Sequence, residues 1–135
     1  MTQLNETMLY TWFDSVWNKL NENKIDELMA SDALAHGVDT ATVLKGPEAF
    51  KTFYKTFTNA FTDINVVIKQ IISENGFECA IVQVNAKDVN SQTPVSFPGM
   101  CMIRLFDGKI AEAWNYFDFE SMNAQLAQTN KPSNK

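Results

Sequence analysis

The segment KIAEAWNYFDFESMNAQL, residues 109–126, decides the fold because it starts as a half-buried strand and ends as an amphipathic helix. Asp118 stands at the join, and four aromatic residues surround it in sequence: Trp114, Tyr116, Phe117 and Phe119. A carboxylate in apolar surroundings loses hydration free energy unless it is hydrogen-bonded, uncharged or close to solvent. Asp118 is therefore either a helix cap or a functional group.

The N-terminal half of the chain predicts three helices. Apolar residues at helical spacing predict the first over residues 5–21, and Asn23 as N-cap predicts a second that ends near residue 30. Pro47 favours the start of a third, which runs over residues 47–60 with an almost wholly aromatic face. The segment between the second and third helices suits a short strand or hairpin that carries His36.

The C-terminal half predicts four strands, at residues 64–72, 78–87, 94–106 and 109–119. Short turn-forming links separate them, including the two-residue hairpin signal Asp107–Gly108. Sequential strands with short links form an antiparallel meander. Since the helices precede the strands, the fold class is α+β, with the helices packed on one face of the sheet.

The size and charge of the chain limit its function. Its 135 residues fit one domain, which we place at residues 1–127, before a polar tail at 128–135. Sixteen acidic against eleven basic residues give a net charge of −5, and the lysines are dispersed, so nucleic acid is an improbable partner. Neither a leader nor an apolar stretch long enough for a membrane span is visible, so we expect a cytoplasmic protein.

Cysteine and histidine are scarce. Cys79 and Cys101 are far apart in sequence and are expected to be small buried apolar residues rather than a disulfide. His36 is the one histidine of the sequence, and no paired ligand spacing accompanies it. We therefore predict no metal site.

Strand alternation predicts which side chains share a face. Trp114, Tyr116 and Asp118 fall on one face of the last strand, and Met100 and Met102 share one face of the strand before it. Pairing through the Asp107–Gly108 turn brings Met102 close to Trp114. This face is typical of a pocket wall that carries one polar group.

A resemblance to a known family rests on three groups of residues: Gly46, Pro47, Phe50 and Phe61; the turn at residues 107–110; and Glu112, Trp114, Asp118, Gln125 and Leu126. With these residues the chain resembles the SnoaL-like polyketide cyclase branch of the nuclear transport factor 2-like superfamily, which includes ketosteroid isomerase relatives. The resemblance implies a strongly curved antiparallel sheet wrapped around the helices as a cone, with an apolar cavity. It also implies a homodimer formed through the outer face of the sheet.

The resemblance implies a candidate chemistry as well. In cyclase relatives an aspartate at the position of Asp118 acts as acid/base in an aldol closure without metal or cofactor. We expect Asp118 and His36 as catalytic residues, with His36, Tyr54, the Trp114 indole, or Asn115 if a bulge turns it inward, as donors to the enolate oxygen. The expected ligand is an apolar small molecule in a central cavity, bound by Phe13, Trp17, Tyr54, Phe57, Met100, Met102, Trp114 and Tyr116.

Other interpretations of the same residues stay open. Asp118 also fits the N-cap of a final helix over residues 120–127, His36 fits a partly buried structural histidine, and the aromatic residues fit a core. The chain lacks the glycine-and-histidine stretch seen before the proline-rich strand in many cyclase-like relatives. A non-catalytic binding module and a dimeric interaction module therefore stand beside the enzyme. Apolar residues on both strand faces favour a homodimer that covers the outer one.

Overall fold

The computed structural model describes residues 6–38 and 42–129, which form four α-helices and one six-stranded sheet. The helices are α1 (Met8–Trp12), α2 (Asn23–Leu28), α3 (Gly46–Ala60) and α4 (Phe119–Thr129), and a π-helical segment (Phe13–Asn18) continues α1. The strands are β1 (Met29–His36), β2 (Leu44–Lys45), β3 (Phe61–Glu74), β4 (Phe77–Asp88), β5 (Pro94–Phe106) and β6 (Lys109–Phe117).

The sheet has the strand order β2-β1-β6-β5-β4-β3 and curls without closing. Strands β3 to β6 form the predicted antiparallel meander, and the α+β class is confirmed. One correction concerns β1, which lies parallel to β6 and makes the sheet mixed rather than wholly antiparallel. The parallel pairing is possible because α3 and the meander separate β1 from β6 in sequence.

Helix boundaries differ from the predicted ones where tertiary contacts decide them. The first helical stretch starts at Met8 and ends at Asn18, and the predicted start at Asn5 lies outside the described residues. Asn23 is the first residue of α2 rather than its N-cap, a position held by Glu22 without a side-chain hydrogen bond. Helix α2 ends at Leu28, before Ala30, because Met29 already pairs with β6.

The chain ends bear on the domain boundary. Helix α4 continues to Thr129, so helix and predicted tail overlap, while residues 130–135 lie outside the described part. The division into residues 1–127 and 128–135 stays a prediction. Among the described residues, no helix combines the length and the hydropathy that a membrane crossing requires.

The helices pack into the inner face of the curled sheet through an aromatic cluster. Trp17 lies at its centre, with ring centroids 4.9 Å from Tyr54 and 5.5 Å from Phe57. The Tyr54 hydroxyl donates a 2.8 Å hydrogen bond to the carbonyl of Val16, so a buried carbonyl of the π-helical segment is satisfied by α3. This bond ties the π-helical segment to α3.

Two side-chain amides fasten the helical elements to strand backbones. Asn18 accepts from Val66 N at 2.6 Å and donates to Val66 O at 3.1 Å, which occupies part of the free edge of β3. Gln125 of α4 makes the same pair of bonds to Ser96 of β5, at 2.9 and 2.8 Å. Each amide pairs with the strand as a neighbouring strand would.

Glu78 ties the first helix to the sheet. It lies at the start of β4, is only 5% exposed, and accepts hydrogen bonds from the backbone N–H groups of Met8 (3.0 Å) and Leu9 (2.8 Å). A carboxylate at a helix N-terminus satisfies otherwise unpaired donors and interacts favourably with the helix dipole. Thr7 adds a side-chain cap by accepting from Tyr10 N. The N-terminus of α1 is therefore capped by a residue from a distant strand.

Replacement of Glu78 by Ala is expected to lower the free energy of unfolding by about 1–3 kcal/mol, because a buried N–H group (Leu9) and a partly buried one (Met8) lose their acceptor. Urea denaturation followed by circular dichroism measures this change. Glu74→Ala, at an exposed position on β3, is the matched control and should change stability by less than about 0.5 kcal/mol. Equal effects of the two substitutions would show that Glu78 does not anchor the helix.

Candidate functional site

A cavity lies between the helices and the inner face of the sheet. Its volume is about 80 Å³, counted as space for the centre of a water molecule. Twenty of the described residues line it, and Asn115 is the polar one among these. Nine of the twenty are aromatic: Trp12, Phe13, Trp17, Phe50, Phe53, Phe57, Phe97, Phe117 and Phe119. Such a lining suits an apolar ligand with flat rings.

Three of the predicted ligand-binding residues line this cavity, namely Phe13, Trp17 and Phe57. All three lie on the helical side. Tyr54 is buried behind the lining, where its ring packs on Trp17 and its hydroxyl is engaged by the Val16 carbonyl. Burial raises the pKa of the Tyr54 phenol, with a smaller contribution from Glu22.

The sheet wall of the cavity is the opposite face from the predicted one. Met100, Met102 and Tyr116 are exposed on the outer face, and Trp114 lies between them and β1. The expected pairing of Met102 with Trp114 is confirmed, but the prediction that this face forms the pocket wall is wrong. Alternation alone did not show which of two apolar faces is the inner one.

A β-bulge explains how the inner face of β6 is chosen. Leu105 pairs with Ile110 and Arg104 pairs with Glu112, so Ala111 has no partner on β5. Ile110 therefore faces inward together with residues at odd positions after the bulge. On β5 and β6, sequence reasoning missed Cys101, Ile103, Ala113 and Phe117. Asn115 was expected to face inward only if a bulge turned it, and this bulge does so. The sequence signal that could have identified this face is strand alternation, because Cys101 and Ile103 alternate with Met100 and Met102 along β5.

Asp118 lies at the end of β6 and caps α4. Its side chain is exposed, and Oδ1 accepts a 2.9 Å hydrogen bond from Ser121 N. Its own N–H donates to the carbonyl of Pro98 at 3.1 Å, which continues the sheet for one more bond. Asp118 is not among the cavity-lining residues, so the geometry matches the helix-cap interpretation.

His36 lies on the outer face of the sheet. Its Nε2 is 2.7 Å from a carboxylate oxygen of Glu112, and its ring stacks on Trp114 with an interplanar angle of 9°. Arg104 approaches the other carboxylate oxygen of Glu112 at 3.6 Å. The two predicted catalytic residues are thus not brought together, since one caps a helix and the other belongs to this outer-face cluster.

Titratable groups are nearly absent from the described lining. Cys101 is the exception, and burial raises the pKa of its thiol to about 12, so the thiol stays neutral and is a poor nucleophile and base. In the part of the chain that the structure describes, no cluster of three or more His, Cys, Asp or Glu side chains has a metal-binding arrangement. The lining itself offers shape and contact rather than acid/base groups.

Asn115 of β6 pairs with Cys101 of β5, and its side chain is hydrogen-bonded to the end of β1. Its Nδ2 donates a 2.9 Å hydrogen bond to the carbonyl of His36. The next residue, Gly37, has φ +77°, and a Cβ there would lie 1.9 Å from the backbone oxygen of Asn115. Only glycine permits this close approach of the two backbones.

Comparison with protein families identifies the family of the chain. The model of the SnoaL-like polyketide cyclase family matches residues 7–126, nearly the whole chain. A comparison with curated proteins gives no match.

Solved structures with the same architecture are numerous. A candidate SnoaL-like polyketide cyclase from Shewanella putrefaciens is 12% identical with a TM-score of 0.81, over 95% of this chain and 99% of that one. IdmH, a candidate polyketide cyclase from Streptomyces antibioticus, is 18% identical with a TM-score of 0.77, over 93% and 99%. A Catenulispora acidiphila protein with a ketosteroid isomerase-like fold, solved with trimethylamine, is 18% identical with a TM-score of 0.78, over 93% of each chain. At these identities the likeness establishes the ketosteroid isomerase-like fold.

Substitutions at Asp118 separate a cap from a site residue. Asp118→Ala is expected to lower the free energy of unfolding by about 1 kcal/mol, and Asp118→Asn to leave it nearly unchanged, because asparagine caps helices as well as aspartate does. Urea denaturation of both variants measures this pair of effects. An Asn variant of normal stability that loses affinity for cavity ligands would instead assign the carboxylate to the site.

Proposed function

The chain belongs to the SnoaL-like polyketide cyclase family, and on that premise we propose that it binds an apolar, ring-containing small molecule in its cavity. The observation that carries the proposal is the composition of the lining, where Asn115 is the one polar residue among the twenty that the structure describes there. Burial of apolar ligand surface against such walls contributes about 25 cal/mol per Å². Ligand binding of this kind is the function that the geometry supports best.

Any reaction in this cavity would depend on confinement. A folded, flexible chain held between aromatic walls has its reacting atoms close together, which lowers the entropic part of the barrier to ring closure. The described lining supplies no carboxylate or imidazole to remove a proton. The proposal therefore invokes no acid/base residue, metal or cofactor.

An acid/base cyclase that uses Asp118 and His36 is the competing proposal. The family match favours it, because the family is named for polyketide cyclases. The capping bond of Asp118 and the pairing of His36 with Glu112 argue against it, since both side chains are engaged away from the cavity. A true substrate whose turnover is lost in Asp118→Asn would favour the enzyme.

Filling the cavity should weaken ligand binding. Ala113→Leu adds volume to the lining, so the affinity for 1-methylnaphthalene is expected to fall at least about 10-fold. Quenching of tryptophan fluorescence measures binding, because Trp12 and Trp17 line the cavity. Ala124→Leu, exposed on α4, is the control and should bind as the wild type does. A wild-type protein that binds no such probe would refute the proposed function.

We further propose that two copies pair through the outer face of the sheet. Ile81, Met100 and Tyr116 lie side by side on neighbouring strands of this face, and Tyr116 is 72% exposed. The face also carries the Arg104–Glu112–His36 cluster, which a partner would shield from water. An exposed apolar patch at this place is typical of an interface.

Met100→Glu is expected to convert the dimer to a monomer, because it places a charge in the middle of the apolar patch. Sedimentation velocity at micromolar concentration measures the change. Val89→Glu, an exposed apolar position in the turn after β4, is the matched control and should remain dimeric. A monomeric wild-type protein would contradict the proposal.

A further inference from the structure

Among the described lining residues, Asn115 is the one whose side chain carries an oxygen that can accept a hydrogen bond from a ligand. The orientation of its carboxamide decides whether the nitrogen or the oxygen can contact a ligand. The amide nitrogen is fixed next to the His36 carbonyl, which can only accept a hydrogen bond, so the nitrogen must be on that side. The amide oxygen therefore points away from the His36 carbonyl.

The Asn115 oxygen has no hydrogen-bond donor within the described residues. No hydrogen bond to Oδ1 is formed there, and every fully buried side-chain polar atom of the described residues has a partner. It follows that Oδ1 is accessible rather than sealed in the core. An accessible acceptor in an otherwise apolar lining is a place for a donor group of the ligand.

The surroundings of Asn115 hold the amide in place before a ligand arrives. The backbones of Asn115 and Gly37 are in close contact, and the pairing of Ala35 with Ala113 aligns β1 with β6 just before this point. Cys101, its partner residue on β5, makes no hydrogen bond to the Asn115 side chain among the described residues. A preorganised acceptor costs little entropy when it binds, so its contribution to selectivity is retained.

We infer that Asn115 selects the ligand, and that the ligand class is a flat apolar molecule with a hydroxyl or N–H group that donates to Asn115 Oδ1. This inference rests on the proposed function, because it assumes that an apolar ligand occupies the cavity. A ligand that lacks the donor leaves the acceptor unpaired in an apolar environment and is disfavoured. The aromatic walls provide affinity, and Asn115 provides selectivity among ligands of similar shape.

The test uses 1-naphthol and 1-methylnaphthalene, which have nearly the same shape and differ in a hydroxyl against a methyl group. Dissociation constants for both are measured with the wild type and with Asn115→Leu, which keeps the side-chain size and removes the acceptor. The ratio of the two constants should change by about 10-fold in favour of 1-methylnaphthalene in the variant. An unchanged ratio would overturn the inference.

A second measurement needs no variant to fold. The side-chain carbonyl carbon of Asn115 is followed by ¹³C NMR in the wild type, and its signal should move downfield with 1-naphthol and stay in place with 1-methylnaphthalene. Identical responses to both compounds would also overturn the inference. If both compounds bind and Asn115 does not distinguish them, the proposed function stands alone; if neither binds, both the function and the inference are refuted.

Discussion

A side chain in a strand points to one face of the sheet or to the other, and this constraint decides the character of the cavity. Because Ala111 is unpaired in β6, the residues after it face inward at odd positions. Asn115 consequently enters the cavity, while Trp114 joins His36 and Glu112 on the outer face. The strand then ends at Phe117, which leaves Asp118 free to begin a helix. The bulge at Ala111 thus keeps the Asp118 carboxylate out of the cavity.

The sequence was sufficient to predict the architecture but not the residues that line the cavity, and the reasons are physical. Helix α3 could be predicted because a proline at its start and aromatic residues at helical spacing are local signals. The meander could be predicted because its links are short. The inner face of β5 and β6 could not, since Met100 and Trp114 are larger and more apolar than Ala113 and Asn115 and pointed to the wrong side. A bulge at an alanine has no clear local signal, and a carboxylate that begins a helix has the same sequence context as one that enters a pocket.

Gly99 and Gly37 allow close packing in the cavity wall because neither has a Cβ atom. A Cβ at Gly99 would lie 2.0 Å from the ring of Phe117, and a Cβ at Gly37 would collide with the backbone of Asn115. In both places the missing side chain lets an inward-facing residue lie close to a neighbouring strand or loop. The aromatic ring and the amide thereby share a wall without filling the space before it. The ligand space is therefore set by close backbone packing as much as by the large side chains.

The Glu78 cap also has a consequence for how the chain folds. Helix α1 has five residues, too few to be stable by itself, and the carboxylate that caps it is 70 positions away from Met8 in sequence. The N-terminus of α1 consequently acquires its cap only after β4 has been synthesised and has joined the sheet. Contacts of such large sequence separation are slow to form, because the intervening chain loses entropy when the loop closes. During synthesis α1 therefore lacks this cap until the chain has been made at least as far as β4.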